Sequence, residues 1–254
     1  MKHVVMFSGG VGSWATAKRV AERHGAKDLT LLFADTLIED EDLYRFLKDA
    51  AANIGGQFVR IADGRSPWEV FRDEKYIGNT RADPCSRVLK RELLDKWRNE
   101  NLTPDEARCY VGIDWSEIHR FERLKKIVAP WVYEAPLCEP PYLEKPALIR
   151  WLKREGIEPP RLYAMGFPHN NCGGFCVKAG QAQFALLLRK MPERYAEHEA
   201  KERELRGVLG NHSILRDRVG GTTKPMTLEE FRKRIEAKGE VDLYDWGGCG
   251  CAIE

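Results

Sequence analysis

The sequence predicts an α/β protein: a parallel β-sheet wrapped on both faces by helices, followed by a helical extension that carries cysteines. Three observations predict it. Short, continuous, apolar runs alternate with segments of helical spacing through the first half of the chain. The first run stops at a glycine turn, "FSGGVGS" (7–13), and restarts as a helix. Later, helical segments and paired cysteines at Cys172/Cys176 and Cys249/Cys251 replace the alternation.

Each element has a local reason. His3–Phe7 is short and β-branched, suited to a strand buried on both faces. Ser13–His24 follows with Trp14, Ala17, Val20 and Ala21 at helical spacing, and Gly25 is its stop. Leu29–Ala34 is a second buried strand, ending at Asp35. Asp40–Ala52 places Leu43, Phe46 and Leu47 on one helix face, and Gln57–Ile61 is a third strand. Such alternation implies parallel strands joined by right-handed crossovers. Ser86–Arg98 reads as a helix, Cys109–Ile113 as a fourth strand, Glu117–Ile127 as a helix and Trp131–Glu134 as a short fifth strand. Prolines then crowd 136–160 around a helix at Pro146–Glu155. Phe175–Arg189 and Glu193–Arg206 read as two more helices, broken by Pro192. The capping box at Thr227–Glu230 opens a last short one.

The 254 residues suffice for one large α/β domain or a domain with an appendage. We divide them into an α/β nucleotide-binding domain over 1–165 and a helical, cysteine-bearing extension over 166–254, packed on the first as one unit. A net charge of +2 argues for no particular partner through the field of the whole molecule. The stretch from Arg189 to Lys238 is dense in Lys and Arg but interleaved with Glu, as on a solvated helical surface. No run of 18 apolar residues and no signal-peptide pattern is present, so the expectation is a cytoplasmic protein with no membrane partner. There the seven cysteines are reduced, and clustered ones read as ligands or nucleophiles rather than disulfides.

The glycine turn sits between a buried strand and a helix. Glycine lets backbone amides approach a ligand, and the helix adds its positive end, which together favour an anion. Ser8, Gly9, Gly10, Gly12 and Ser13 are the candidate residues; a tight turn with no ligand is the alternative. The Walker ending and the G-x-G-x-x-G spacing are both absent. Asp35 and Thr36, after the second strand, would lie beside this loop, where a carboxylate can accept from ribose or adenine; helix N-capping is the other role open to them. Arg87 and Lys90 share one helical turn. Glu117, Arg120 and Arg123 share another, where Glu117 with Arg120 could simply be a surface ion pair. His169 precedes the cysteine pair. Cys172-Gly-Gly-Phe-Cys176 and Cys249-Gly-Cys251 together read as a metal site, although the spacing is not the usual zinc C-x2-C. Cys109 and Cys138 read as buried or incidental.

Several stretches resemble the PP-loop superfamily of adenine-nucleotide α-hydrolase-like proteins, in particular the phosphoadenosine phosphosulfate (PAPS) reductase family. "SGGVGS" resembles the S-G-G-x-D-S loop. "ADTLIEDEDLYRFL" (34–47) is similar to the "DTG…ET" stretch, and "YVGIDWSEIHRFERL" (110–124) to "GIRRDES…R". "PLCEPPYLEKPALIRWLKREGIEPPRLYAMGFPHNNCGGFC" (136–176) follows the family's order and spacing up to its cysteine pair. "DPCSRVLKREL" resembles the "CC.VRK..PL" stretch of iron–sulfur adenylyl sulfate reductases. One departure stands out: the loop aspartate is Gly12 here.

The resemblance implies a Rossmann-like (HUP-type) five-stranded parallel sheet, with an adenine nucleotide, with or without magnesium, at the carboxyl ends of its strands. It adds Gly112 and Glu117 to the nucleotide-binding candidates, and Lys90 and Arg120 as groups meeting the anionic tail. It implies a 4Fe-4S cluster on Cys85, Cys172 and Cys176, completed by Cys249 or Cys251; zinc is the alternative metal. The remaining terminal cysteine would be the nucleophile, although the family's following histidine is missing. The activity implied is reduction of an adenylyl sulfate with a thiol reductant. The alternatives are sulfur transfer from a sulfur donor to nucleic acid, as in DNA phosphorothioation or tRNA thiolation, and a non-catalytic nucleotide sensor. A homodimer remains open.

Overall fold

The computed structural model describes residues 1–78, 82–217 and 222–248. Five parallel strands form one sheet: β1 (Lys2–Met6), β2 (Leu29–Asp35), β3 (Gln57–Ala62), β4 (Ala107–Tyr110) and β5 (Tyr133–Glu134), in the order β3-β2-β1-β4-β5. This is the parallel sheet the alternation predicts. His3 pairs with Leu29 on one side, and Lys2 with Ala107 on the other. The strand order reverses direction at β1, so the loop after β1 lies at the crevice where open α/β sheets take ligands.

Side-chain alternation builds a core on each face. Val5, Leu31, Phe33 and Tyr110 point to one, where α1 (Val11–His24), α2 (Glu41–Ile54) and, after β5, α7 (Lys145–Arg154) supply Trp14, Phe46 and Leu152. Val4, Leu32, Cys109 and Val111 point to the other, against Leu94 and Trp97 of α5 (Leu93–Asn101) and Leu124 of α6 (Ile118–Ile127). Burying a side chain of Leu or Phe size contributes roughly 1.5–3 kcal/mol, so a one-residue slip of β1 would forfeit both cores together.

A third core joins α3 (Pro67–Asp73) to the extension. It packs Trp68, Phe71 and Phe175 against α9 (Gln181–Lys190), α10 (Pro192–Leu209) and α11 (Leu228–Glu236), and includes Leu215 and Met226 of a small antiparallel pair, β6 (Leu215–Asp217) and β7 (Lys224–Met226). Between α7 and α9 lies the four-residue α8 (Arg161–Ala164).

Three local readings change. The helix expected over Phe175–Arg189 begins only at Gln181, because Cys172, Gly173 and Gly174 take left-handed conformations and the chain stays irregular up to Gly180. α3 emerges from the capping box of Ser66 and Glu69, with Pro67 at the first helical position. The helix expected over Ser86–Arg98 is compound: α4 (Pro84–Ser86) runs through a π-helical stretch (Arg87–Glu92) into α5. Among the described residues no helix is long and apolar enough to cross a membrane.

Candidate functional site

The loop between β1 and α1 is built by backbone. Gly9 takes φ +76°, a conformation costly to residues with a Cβ, and a Cβ there would press on Leu43 at 3.0 Å. No side chain caps α1. The Val11 N–H donates to the Tyr163 hydroxyl at 3.3 Å, and the Asn170 side-chain amide donates to the Gly9 carbonyl at 3.0 Å. Buried Ser13 donates its hydroxyl to the Gly10 carbonyl at 2.8 Å, so its proton is committed inside the loop. At Gly112, just past β4, a Cβ would lie 2.9 Å from the Ser13 nitrogen; at Gly12 a Cβ would lie 3.2 Å from the Gly112 carbonyl oxygen. Only two glycines let these backbones meet.

The loop opens onto a cavity of about 180 Å³ lined by Ser8, Gly10, Gly12, Ser13 and Gly112. Lys90, Arg120, Lys145 and His169 bring basic side chains to it, and Asp114 and Glu117 bring carboxylates. A helix N-terminus ringed by cations suits an anionic ligand. Arg120 donates to Glu117 at 2.6 Å while its Nε is buried without a partner, so the i,i+3 ion pair and the cavity wall are the same pair of residues. Arg123 is exposed and stands outside the cavity; Arg87 pairs at the surface with Glu74 and Glu92. Lys145 donates to the Pro168 carbonyl at 2.6 Å.

Asp35 and Thr36 stand apart from this cavity. Fully buried Asp35 accepts from the Leu37 N–H at 2.8 Å and the Tyr44 hydroxyl at 3.0 Å, and pairs with Arg60 at 2.5 Å. A buried carboxylate needs such partners, and these make it a structural hub at the end of β2. Burial, with Asp35 beside it, pushes the Tyr44 phenol up to about 12. Thr36 donates to Glu39 at 2.9 Å and faces a second cavity.

That second cavity, about 20 Å³, is lined by Cys85, Cys172 and Cys176, with Thr36, Asp83, Lys178 and apolar Phe175 and Val177. Lys90 lines both cavities. The left-handed turn at Cys172–Gly173 places Cys172 there, and the Cys172 N–H donates to the Glu39 carboxylate. Glu39 lies 4.0 Å from the Lys90 ammonium, and burial raises its pKa against the pull of Lys90 and Thr36. Lys178 approaches Asp83 at 3.9 Å. Among the described residues Cys85, Cys172 and Cys176 form no disulfide with one another.

Among the described residues no three His, Cys, Asp or Glu side chains converge to hold a metal ion. Cys249 and Cys251 lie outside the described residues. The segment before them is placed: Gly247 bridges to Ala179, and the Gly248 N–H donates to the Lys178 carbonyl at 3.0 Å. Cys109 and Cys138 line neither cavity, and burial pushes each thiol up to about 11. Glu39, Asp114, Lys145, Tyr163 and Asn170 escaped the sequence reading. Lys145 and Tyr163 lie within the quoted 136–176 stretch, but no spacing distinguishes them from its other polar residues.

No protein-family model matches the chain. It is 27% identical over 205 residues to an uncharacterized protein of Methanocaldococcus jannaschii, covering 79% of this chain and 41% of that one; it thus spans less than half the length of the relative it matches. Its structure is similar to phosphoadenylyl-sulfate (PAPS) reductase from Candida auris, at TM-score 0.44 and 12% identity over 66% of this chain and 79% of that one. It is also similar to a predicted subunit of tRNA methyltransferase from Methanocaldococcus jannaschii, at TM-score 0.34 and 18% identity over 63% of this chain and 91% of that one. At these scores neither structural likeness bears on chemistry.

Proposed function

We propose that this protein binds an adenylylated nucleotide in the amide-lined cavity and carries out thiol-based sulfur chemistry on it. The observation that carries the reading is the shared wall: Lys90 lines both the cavity at the glycine loop and the one bearing Cys85, Cys172 and Cys176. An anion held by the start of α1, with Lys90, Arg120 and Lys145 around it, would put its charged end toward the thiols.

The donor set fits a thiolate-bound centre. Three soft ligands line one cavity with mostly apolar walls, and Lys90 and Lys178 would offset the negative charge of thiolates. Four thiolates suit a 4Fe-4S cluster, with zinc as the alternative metal. The fourth ligand in this reading is Cys249 or Cys251, since the chain at Gly248 is already bonded to Lys178. Such a cluster would supply local charge that tunes the sulfur centre beside it.

In the reductive form, the other terminal cysteine attacks the sulfate sulfur of an adenylyl sulfate as its thiolate. A sulfur–sulfur bond forms, the bond from sulfur to the bridging oxygen breaks, and the nucleotide leaves with the electron pair. A dithiol reductant then displaces sulfite through a mixed disulfide, and its second thiol frees the enzyme cysteine, leaving the reductant as a disulfide. In the transfer form, ATP adenylylates an acceptor oxygen with loss of pyrophosphate, and sulfide from a sulfur donor displaces AMP with that oxygen.

The test is anaerobic purification with a visible spectrum and metal analysis, followed by nucleotide binding and turnover. Brown protein that loses its absorbance on oxidation, together with binding of adenylyl sulfate or ATP, is the expected result. Sulfite release with a dithiol identifies reduction; acceptor-dependent release of AMP and pyrophosphate identifies transfer. Tight nucleotide binding with neither turnover would make the chain a sensor, and no binding of any adenine nucleotide would end the proposal.

A further inference from the structure

Helices α1 and α7 each reach two places. Near their first turns, Val11, Gly12, Ser13, Lys145 and Leu148 line the nucleotide cavity. Farther along, Arg19 and Glu22 of α1 and Ala147, Arg150, Trp151, Lys153 and Arg154 of α7 line an open groove of about 730 Å³. The groove is basic. Arg150, Lys153 and Arg154 are exposed, and among the described residues none has a carboxylate within ion-pair distance. The richer basic stretch at 189–238 is different: Arg203 and Arg232 pair with Glu199, Lys233 with Glu229, and Arg234 with Asp217. Its charge is largely spent on its own carboxylates.

A second feature lies where groove and cavity meet. Trp115 is 40% exposed and Tyr142 58% exposed, with ring centroids 6.0 Å apart. Asp114 and Glu117, beside Trp115, line the nucleotide cavity. Pro141 and Leu143, flanking Tyr142, line the groove, and Lys145 lines the cavity. Arg19 fixes this loop from below, donating to the carbonyls of Pro136 at 2.7 Å, Glu139 at 3.0 Å and Pro141 at 2.5 Å. Tyr142 therefore follows directly on a buried staple and Trp115 lies between two residues of the cavity wall, with the outer surfaces of both rings facing water.

We infer that this face is a docking surface for single-stranded nucleic acid: Arg150, Lys153 and Arg154 take backbone phosphates, and Trp115 with Tyr142 stacks a base at the cavity mouth. A concave basic track ending in exposed aromatics is the combination that binds unpaired strands, because every base has a π-face and every linkage a charge. Duplex presents its bases edge-on and would leave the aromatic pair idle. A membrane surface would want apolar side chains projecting from a convex face. The inference rests on the transfer form of the function proposed above and names the class of its acceptor.

The test titrates the full-length protein into a fluorescein-labelled single-stranded oligonucleotide of about fifteen nucleotides, as RNA and as DNA, over a range of salt. The triple variant R150A/K153A/R154A is expected to lose about tenfold in affinity or more at low salt, and to lower the slope of log K against log salt by about 2. W115A/Y142A is expected to lose about tenfold at an unchanged salt slope. Adenine-nucleotide binding, measured in parallel, stays at the wild-type value in both. Failure of both oligonucleotides to bind, wild-type oligonucleotide affinity in either variant, or binding to acidic lipid vesicles in place of oligonucleotide overturns the inference. Loss of nucleotide binding by the wild type overturns the function itself and is read separately.

Discussion

The two adjoining cavities draw their polarity from different sources. The one at the end of β1 has a main-chain wall, where Gly12 and Ser13 lie against the Gly112 backbone, and charged side chains such as Lys90 and Arg120 join it. The one behind it is made of side chains: thiols from 85, 172 and 176, carried by two separate segments, with Lys90 and Lys178 on the same wall and each near a carboxylate. The first is fixed by how closely two backbones can approach. The second is fixed by charge balance in a largely apolar place. They should therefore break in different ways.

The largest effect is expected at the backbone contact. Gly112→Ala puts a Cβ 2.9 Å from the Ser13 nitrogen, where neither partner is a flexible side chain. Adenine-nucleotide affinity should fall by about a hundredfold, and the fold should lose about 1–3 kcal/mol from overpacking. Calorimetric binding and a denaturant melt measure the two; wild-type affinity would show that the loop does not hold the ligand. The next effect is confined to the second cavity. Cys172→Ser should abolish metal retention with nucleotide binding kept, whereas Cys109→Ser should keep the metal and cost about 1–3 kcal/mol from a buried hydroxyl. Iron and zinc analysis of both proteins decides it, and equal metal content in the two would remove Cys172 from the ligand set.

The effect farthest from the two cavities sharpens the contrast through pH and is slight near neutrality. His198 stacks on Phe175 with centroids 3.7 Å apart and accepts from the Trp68 indole N–H at 3.1 Å. Burial lowers its pKa to about 3, well under the ordinary value, so the folded protein holds it neutral. Between about pH 6.5 and 3 the unfolded chain binds the extra proton. The stability present above that range is lost as pH falls, by up to about 1.4 kcal/mol per pH unit. His198→Gln should flatten the acid limb of stability measured by urea titration. An unchanged acid limb would mean that the imidazole is protonated in the fold.

The same contrast governs what could be read from the residues alone. The sheet and its loop were legible because each is local: an apolar run, a glycine turn and a helix face occupy consecutive positions. Cys172 and Cys176 pair by their spacing, whereas Cys85, far off in the chain, joins them only through resemblance. Glu39 sits among "EDED", where nothing marks which acids are buried; only the fold brings it to Lys90 and the Cys172 amide. Asp35 shows the converse. Its place after β2 suits a ligand, but Arg60 and Tyr44 arrive from β3 and α2 to claim it. The irregular stretch up to Gly180 defeated periodicity because positive φ angles at 172–174 outweighed helix-compatible residues after them.

The π-helical stretch Arg87–Glu92 carries a consequence for Lys90. A widened turn spends a surplus residue, and each residue of an ordinary helix swings the following side chains by about 100°. Deleting one position between 87 and 89 would rewind the turn and rotate Lys90 off the partition between the two chambers, leaving the ammonium itself untouched. The partition thus owes its charge to the phase of a coil, so a shortened loop could silence it where no point mutation at the lysine had occurred.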